Sequence, residues 1–319
     1  MSTREQVNGA DTFSTSADQV IAYLKAHTPI PEWSVSRVAA GEQVHIHTGD
    51  NEMLQLGRRV PWDDTFCIRM SNGADRIVLD AAEHPAYSDL PDAGVVRAYA
   101  GTPITDDDGR TFGTLCGVGT EPLGGFDEID ADLIELMAGL LSSQLKLARI
   151  ADRARRTADL ARALAQTDAL TGLVNRRGWD LLVEDADRRI TAYGDPVAIA
   201  VIDLDGLKAL NDLEGHAAGD ELIRHAGEVL AAAARAGDRV ARYGGDEFAI
   251  LSNNVAVKDL IAHFARFSEA LADAGIAASL GCAPTSAGVV DVAGAFELAD
   301  ADMYAAKQTR RARLAGEVG

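Results

Sequence analysis

Arg242-Tyr243-Gly244-Gly245-Asp246-Glu247-Phe248 is the stretch from which the rest of the chain can be read. Strand-like residues flank it, Val240 to Tyr243 before and Glu247 to Leu251 after, and Gly244-Gly245 between them is a tight-turn signal. The expected element is a β-hairpin with two carboxylates at its tip. Gly244 and Gly245 have no Cβ, so positive φ is open to them and a bulky polyanion can lie against the backbone. An isolated Gly-Gly-Asp-Glu is as readily an exposed acidic turn. The surrounding sequence decides between the two.

At 319 residues the chain is long enough for two domains, each with its own core. Aromatics are only 5% of it while aliphatic residues and alanine are plentiful, which suits an alanine-rich α/β protein. A formal net charge of −19 repels nucleic acid and anionic membranes, so neither is expected as a partner. A phosphate ligand then has to be held locally, by cations or metal. Cys67, Cys116 and Cys282 are few and widely spaced, which indicates neither a disulfide framework nor a zinc site. No apolar run reaches the length of a membrane span, and residues 1–15 are polar without a signal-peptide core, so a disordered tail and a cytoplasmic setting are expected.

Residues 16–126 read as an α+β domain. Ala17 to His27 has helical periodicity with Ser16 as cap, and strand-like runs follow at Trp33–Ala39, Gln43–His47, Thr65–Met70, Arg76–Leu79, Val95–Ile104 and Phe112–Val118. Asp106-Asp107-Asp108-Gly109 marks a hairpin turn between the last two. The element order and the runs Gly101-Thr102-Pro103-Ile104 and Gly113 to Val118 resemble a GAF domain, which implies a small-molecule or dimerisation sensor of unidentified ligand. His45 and His47 have the spacing of two metal ligands on a strand, but no third ligand is evident and a solvated face is expected. Cys67 and Cys116 on apolar runs are expected as small core residues.

Residues 127–166 contain no strong helix breaker. Leu133, Leu140, Leu147, Ala154 and Ala161 recur every seven residues; Ile129, Leu136, Ile150 and Leu164 form a companion row interrupted by Ser143 and Thr157. Such a stripe seeks another helix. A parallel seam between two protomers is expected; the alternative is a helix lying back on its own domain.

Residues 167–319 carry the chemistry. Val197 to Asp203 is an apolar run that reads as a buried strand delivering Asp203 and Asp205 at its end. If Asp203, Asp246 and Glu247 converge, their repulsion requires cations, and two bridged Mg²⁺ ions are expected, with Mn²⁺ the alternative. Metal would neutralise the phosphate oxygens of a ligand that this acidic chain otherwise repels. Asn211 and Asp220 offer an amide and a carboxylate, groups that can read the polar edge of a ligand. Helix capping is the competing role for Asp220 and the preferred one for Asp205, and His216 is expected to pack the Gly215–Gly219 turn.

Thr167 to Arg177, Asp203 to Asp212, Gly215 to Asp220 and the hairpin together resemble the GGDEF-family diguanylate cyclases. The resemblance implies a central sheet flanked by helices, of the nucleotidyl-cyclase and polymerase-palm type, so the whole chain is a two-domain α+β/α/β protein. It implies Asp203, Asp246, Glu247 and the Leu204 carbonyl as metal ligands, with Asp246 or Glu247 helping to deprotonate the attacking hydroxyl. It implies Asn211, Asp220, Lys208, Gly244, Gly245, Lys307 and Arg311 as contacts to GTP. Arg235 and Asp238, joined by Arg266, match the family's product-inhibition site for cyclic di-GMP. Leu207 stands where Phe is common, and Arg310 and Ala312 where Gly and Asn are usual. The implied activity joins two GTP into cyclic di-GMP across a homodimer; the alternatives are an inactive cyclic di-GMP receptor using Arg235 and Asp238, and a cyclase of relaxed base choice.

Overall fold

Phe13, Ala17, Ile21 and Leu24 recur at helical spacing and are all buried, so the first helix, α1, runs Gly9–His27 and lays that face on the strands that follow. It begins well before Ser16, which lies inside it: the buried Phe13 ring anchors turns that polarity alone assigned to a tail. The structure, a computed structural model, describes residues 9–126 and 129–316, with the side chains of 9–11, 154, 155, 158, 159 and 311–316 outside the description. The chain divides into two compact units, the first built on Met1–Arg155 and the second on Arg156–Ile190, Pro196–Ser286 and Val290–Gly319.

In the first unit Glu32–Ala39 (β1), Glu42–Thr48 (β2), Arg59–Pro61 (β3), Ile77–Val78 (β4), Ala98–Thr105 (β5) and Thr111–Gly119 (β6) form a six-stranded sheet in the order β3-β2-β1-β6-β5-β4. Every neighbouring pair is antiparallel. The acidic turn closes β5 onto β6 as expected, Asp106 N–H donating to the Arg110 carbonyl at 2.8 Å. The run at 65–70 is not a strand but a helix, α2 (Phe66–Ser71): Thr65 Oγ1 accepts from Ile68 N–H at 3.1 Å, and this cap fixes a turn that buries Phe66, Cys67 and Met70. The short β3 gave no sequence signal of its own.

His45 and His47 are both buried, contrary to the solvated face expected. The register of β2 on β1 slips beside them, Val35 pairing with His47 but Ser36 with His45. This bulge breaks the alternation and re-aims one ring. His47 Nδ1 meets Asp18 of α1 at 3.2 Å, whereas His45 Nδ1 lies 2.9 Å from Ser34 Oγ. Burial and the nearby Arg58 push His45 down to about 4, so it is neutral at physiological pH.

Ala131–Leu164 is one helix, α3. Its first half buries Ile134, Ala138, Leu141, Leu145 and Ala148, and the Ser142 hydroxyl accepts from Thr105 N–H of β5 at 3.0 Å. Leu136, Leu140, Leu147 and Ile150 face outward, each more than half exposed.

The second unit contains Arg176–Tyr193 (α4), Val197–Leu204 (β7), Leu207–Glu214 (α5), His216–Ala233 (α6), Asp238–Gly244 (β8), Glu247–Asn253 (β9), Leu260–Asp273 (α7), Ala278–Pro284 (β10) and Val292–Gly316 (α8). Its sheet has the order β10-β7-β9-β8, again antiparallel throughout. β7 is buried along its whole length. Ala198, Ala200, Ile202 and Leu204 pack with Ile223 and Leu230 of α6 and Phe264 and Phe267 of α7. The alternate residues, Val201 and Asp203 among them, therefore point to the opposite face, which α8 covers.

Candidate active site

Asp203 is the cross-strand partner of Glu247, so two carboxylates stand opposite each other on adjacent strands. Directly opposed like charges destabilise a sheet unless something neutralises them. Lys307 of α8 does so in part, its Nζ donating to Asp203 Oδ1 at 2.5 Å. Glu247 is left less well compensated. Its carboxyl is pushed above the usual range by partial burial and then by the negative charges of Asp203, Asp246 and Asp300, with Lys307 opposing.

Asp246 occupies the turn, and its carbonyl accepts from Leu204 N–H at 3.1 Å, tying the hairpin tip to the end of β7. The turn is Gly245-Asp246 rather than Gly244-Gly245: Gly244 is the last residue of β8, opposite Glu247, and Gly245 alone of the pair has positive φ, at 50°. A register slip between Arg242 and Gly244 accounts for the offset. Gly244 and Gly245 are both exposed, so backbone is open to solvent beside the carboxylates.

Sequence reasoning gave Arg242 and Asp168 no role of their own, yet they hold this tip. The Arg242 guanidinium donates to the Gly245 carbonyl from Nη2 at 2.8 Å and from Nε at 3.0 Å, and meets Asp168 Oδ1 at 3.2 Å. Asp168 also accepts from Thr171 N–H at 2.9 Å and Thr171 Oγ1 at 2.8 Å. Burial pushes its carboxyl up, but the Thr171 bonds and Arg242 outweigh this and keep it ionised well below neutral pH. The available signal was an Arg at the hairpin mouth together with an Asp three residues before a Thr-Gly turn.

The donor set fits a divalent cation in charge and chemistry. Oxygen ligands are present as adjacent carboxylates, and the repulsion felt by Glu247 is what a cation would relieve. Among the described residues no three acidic, His or Cys side chains are already drawn together at ligand spacing. Lys307 meanwhile supplies the positive charge at Asp203.

The base-reading candidates lie on neighbouring helices. Asn211 of α5 has a buried Oδ1 without a hydrogen-bond partner, and Gly219 of α6 makes the room for it: a Cβ at 219 would come within 2.8 Å of the Asn211 Cγ. Asp220 is exposed within α6, which starts at His216, so it is not a cap. His216 is itself exposed at that helix start rather than packing the turn. Asp205 is not a cap either. Gly206 holds that position in a left-handed conformation, and Asp205 instead accepts from Ser279 Oγ at 3.1 Å and pairs with Arg310 at 3.3 Å. Arg310, one of the family departures, thus has a partner within the domain. Lys208 is exposed on α5, and the Arg311 side chain lies outside the described residues.

Arg235, Asp238 and Arg266 come together. Asp238 is buried and accepts from Arg235 N–H at 2.7 Å, Ser252 Oγ at 2.7 Å and the Arg266 guanidinium, with His263 Nε2 at 3.4 Å. The Arg235 side chain is exposed beside this cluster.

Residues 165–313 match the family described as diguanylate cyclase, GGDEF domain, and residues 13–145 match the GAF domain family. An uncharacterised protein from the hutH 5′ region of Streptomyces griseus is 34% identical over 192 residues, which is 58% of this chain and 77% of that protein. Diguanylate cyclase DgcP of Escherichia coli is 29% identical over 225 residues, covering 68% of this chain and 66% of DgcP. The GGDEF domain of DgcB from Caulobacter crescentus, solved in complex with c-di-GMP, is 30% identical over 46% of this chain and 91% of that one, with a TM-score of 0.42; an overlay that low adds nothing to the sequence match. No helix among the described residues is long and apolar enough to cross a membrane. On the order of its motifs and on these matches, the chain belongs to the GGDEF family of diguanylate cyclases and carries a GAF domain ahead of the GGDEF domain.

Proposed function

We propose that this protein condenses two GTP molecules into cyclic di-GMP and two pyrophosphates, one GTP held by each of two GGDEF domains. The observation that carries the reading is the opposition of Asp203 and Glu247 beside the Asp246 turn, an acidic site with a surplus of negative charge and open backbone at its edge. Asp203, Asp246, Glu247 and the Leu204 carbonyl would hold two Mg²⁺ ions, which when bound neutralise the triphosphate and stabilise charge developing in phosphoryl transfer. Lys307, now on Asp203, is placed to turn its ammonium to a phosphate oxygen of the nucleotide. The exposed glycines admit the phosphates against the backbone, and Lys208 and Arg311 add positive charge. The partnerless Asn211 Oδ1 accepts from a guanine N–H, and Asp220 accepts a second. Glu247, opposite Asp203 and with its carboxyl raised above the usual range, is the hairpin acid assigned to take a proton from the 3′-hydroxyl.

The reaction needs the 3′-hydroxyl of each GTP at the α-phosphorus of the other, so two domains must face each other. The outward face of α3 supports a parallel seam between two copies: Leu136, Leu140, Ser143, Leu147 and Ile150 follow alternate steps of four and three residues. The GAF domain then sets the fraction of facing pairs. Product returns to the exposed Arg235, beside Asp238 and Arg266, and holds the domains apart.

Incubation of the full chain with GTP and Mg²⁺, followed by separation of the nucleotides, tests this reading. Cyclic di-GMP and pyrophosphate are expected, and Asp246→Asn should abolish both. Binding of cyclic di-GMP without turnover would transfer support to the receptor reading, and equal use of ATP to the relaxed cyclase.

A further inference from the structure

In the first unit the sheet and α2 enclose a cavity of about 170 Å³ whose walls include Gln43, His45, Arg58, Cys67, Tyr99 and Cys116. It has room for a few water-sized molecules. A thiol buried among apolar groups is ordinarily inert, because burial disfavours the thiolate. Cys67 has different surroundings. Thr114 Oγ1 donates to its sulfur at 3.3 Å, Gln43 Nε2 at 3.4 Å and Tyr99 Oη at 3.5 Å, and the same Gln43 Nε2 reaches the Cys116 sulfur at 4.0 Å, so one amide bridges the two thiols. The neighbouring Cys116 thiol foremost, and then these donors, lower the Cys67 pKa against the opposing effect of burial. Cys116 moves the other way, raised by the neighbouring Cys67 and by burial, although Ser34 Oγ lies 3.5 Å from its sulfur. Three donors converge on the Cys67 sulfur, an arrangement that favours its charged form, whereas one hydroxyl and the far end of the Gln43 contact are all that reach Cys116.

We propose that Cys67 and Cys116 are an oxidisable dithiol: Cys67 attacks a hydroperoxide admitted to the cavity, and Cys116 resolves the product to an intramolecular disulfide. With hydrogen peroxide, the Cys67 thiolate attacks one oxygen, the O–O bond breaks, and the departing hydroxide leaves as water with the proton Cys67 gave up. Cys67 is then a sulfenic acid. The Cys116 sulfur attacks the Cys67 sulfur, the S–S bond forms as the S–O bond breaks, and hydroxide leaves as water with the Cys116 proton. Two thiols have lost two electrons and two protons, and one peroxide has become two waters. The sulfurs must close to about 2.05 Å, which ties the short helix α2 to β6 and remodels the cavity wall.

Cys282 on β10 is the internal control. Burial and Asp302 push its thiol up to about 11. The full-length reduced protein is exposed to graded hydrogen peroxide at neutral pH, free thiols are alkylated, and the peptides are mapped by mass. A Cys67–Cys116 disulfide is expected, reversed by dithiothreitol, with Cys67 oxidised at least about ten-fold faster than Cys282. In Cys116→Ser, Cys67 should stop at sulfenic acid and take a dimedone label; in Cys67→Ser, Cys116 should take none at the same dose. Oxidation that starts at Cys282, or a wild-type Cys67–Cys116 pair that stays reduced while Cys282 oxidises, overturns the proposal. The wild-type map decides this even if a serine variant fails to fold. A Cys67 in Cys116→Ser that takes no label, in a variant whose circular dichroism matches wild type, overturns the order of attack.

Discussion

Glu247 is a carboxylate whose folded surroundings disfavour its charge, and the consequence for stability has a definite sign. Its folded pKa lies above the unfolded one, by partial burial first and then by Asp203, Asp246 and Asp300, so the folded state holds the proton more tightly. That contribution is fully present below the unfolded value and is lost as pH rises through the folded value. Without divalent ions, Glu247→Gln should therefore gain urea midpoint over wild type once pH rises above about 4.5, with no gain below that value. Added Mg²⁺ should narrow the difference by stabilising wild type more than the variant. A gap that is flat in pH would place the repulsion elsewhere. Asp168 and Arg242 act at the same scale with the opposite sign, since their charges are matched and serve to hold the Gly245 carbonyl.

At the scale of elements, the site depends on how closely α8 approaches the sheet. Gly281 of β10 lies directly under that helix, and a Cβ there would meet the backbone at Ala299, at Met303 and, within 2.8 Å, at the Asp302 carbonyl carbon. Backbone cannot swing aside as a side-chain end can. Gly281→Ala should destabilise the domain by about 1–3 kcal/mol, read as a lower urea midpoint at unchanged m. It should also lower turnover, because α8 carries Lys307 to Asp203. An undiminished midpoint would mean that the helix can lift freely. Local chemistry decided α2 in the same way: the Thr65 cap overrode a run that composition favours as strand. The bulge in β2 is a third case, one extra residue sending His45 and His47 to different neighbours.

For the whole molecule, the exposed leucines of α3 are the feature a monomer does not explain. Leu140 and Leu147 are 58% and 65% exposed, whereas Leu141 and Leu145 on the opposite side are buried. Leu140→Glu with Leu147→Glu should leave each unit folded, convert the sedimenting species to monomer and reduce cyclase turnover by about ten-fold or more at low protein concentration. Dimers that persist with unchanged turnover would remove α3 from the encounter. The heptad spacing was legible in the sequence, but Leu133 is only partly exposed and Ile129 is buried, so the outward stripe draws on one member of each row in turn.

The sequence by itself determined the order of the two domains, the strand that ends in Asp203, the acidic hairpin and the family, because each rests on contiguous residues whose spacing and turn chemistry act locally. Tertiary structure alone decided which carboxylates face each other, that Lys307 answers Asp203, that Arg242 is locked by Asp168, and that Cys67 and Cys116 share one cavity. Those pairings join residues far apart in the chain, and a register slip of one residue or a helix seated on the other face would dissolve them without altering any local pattern.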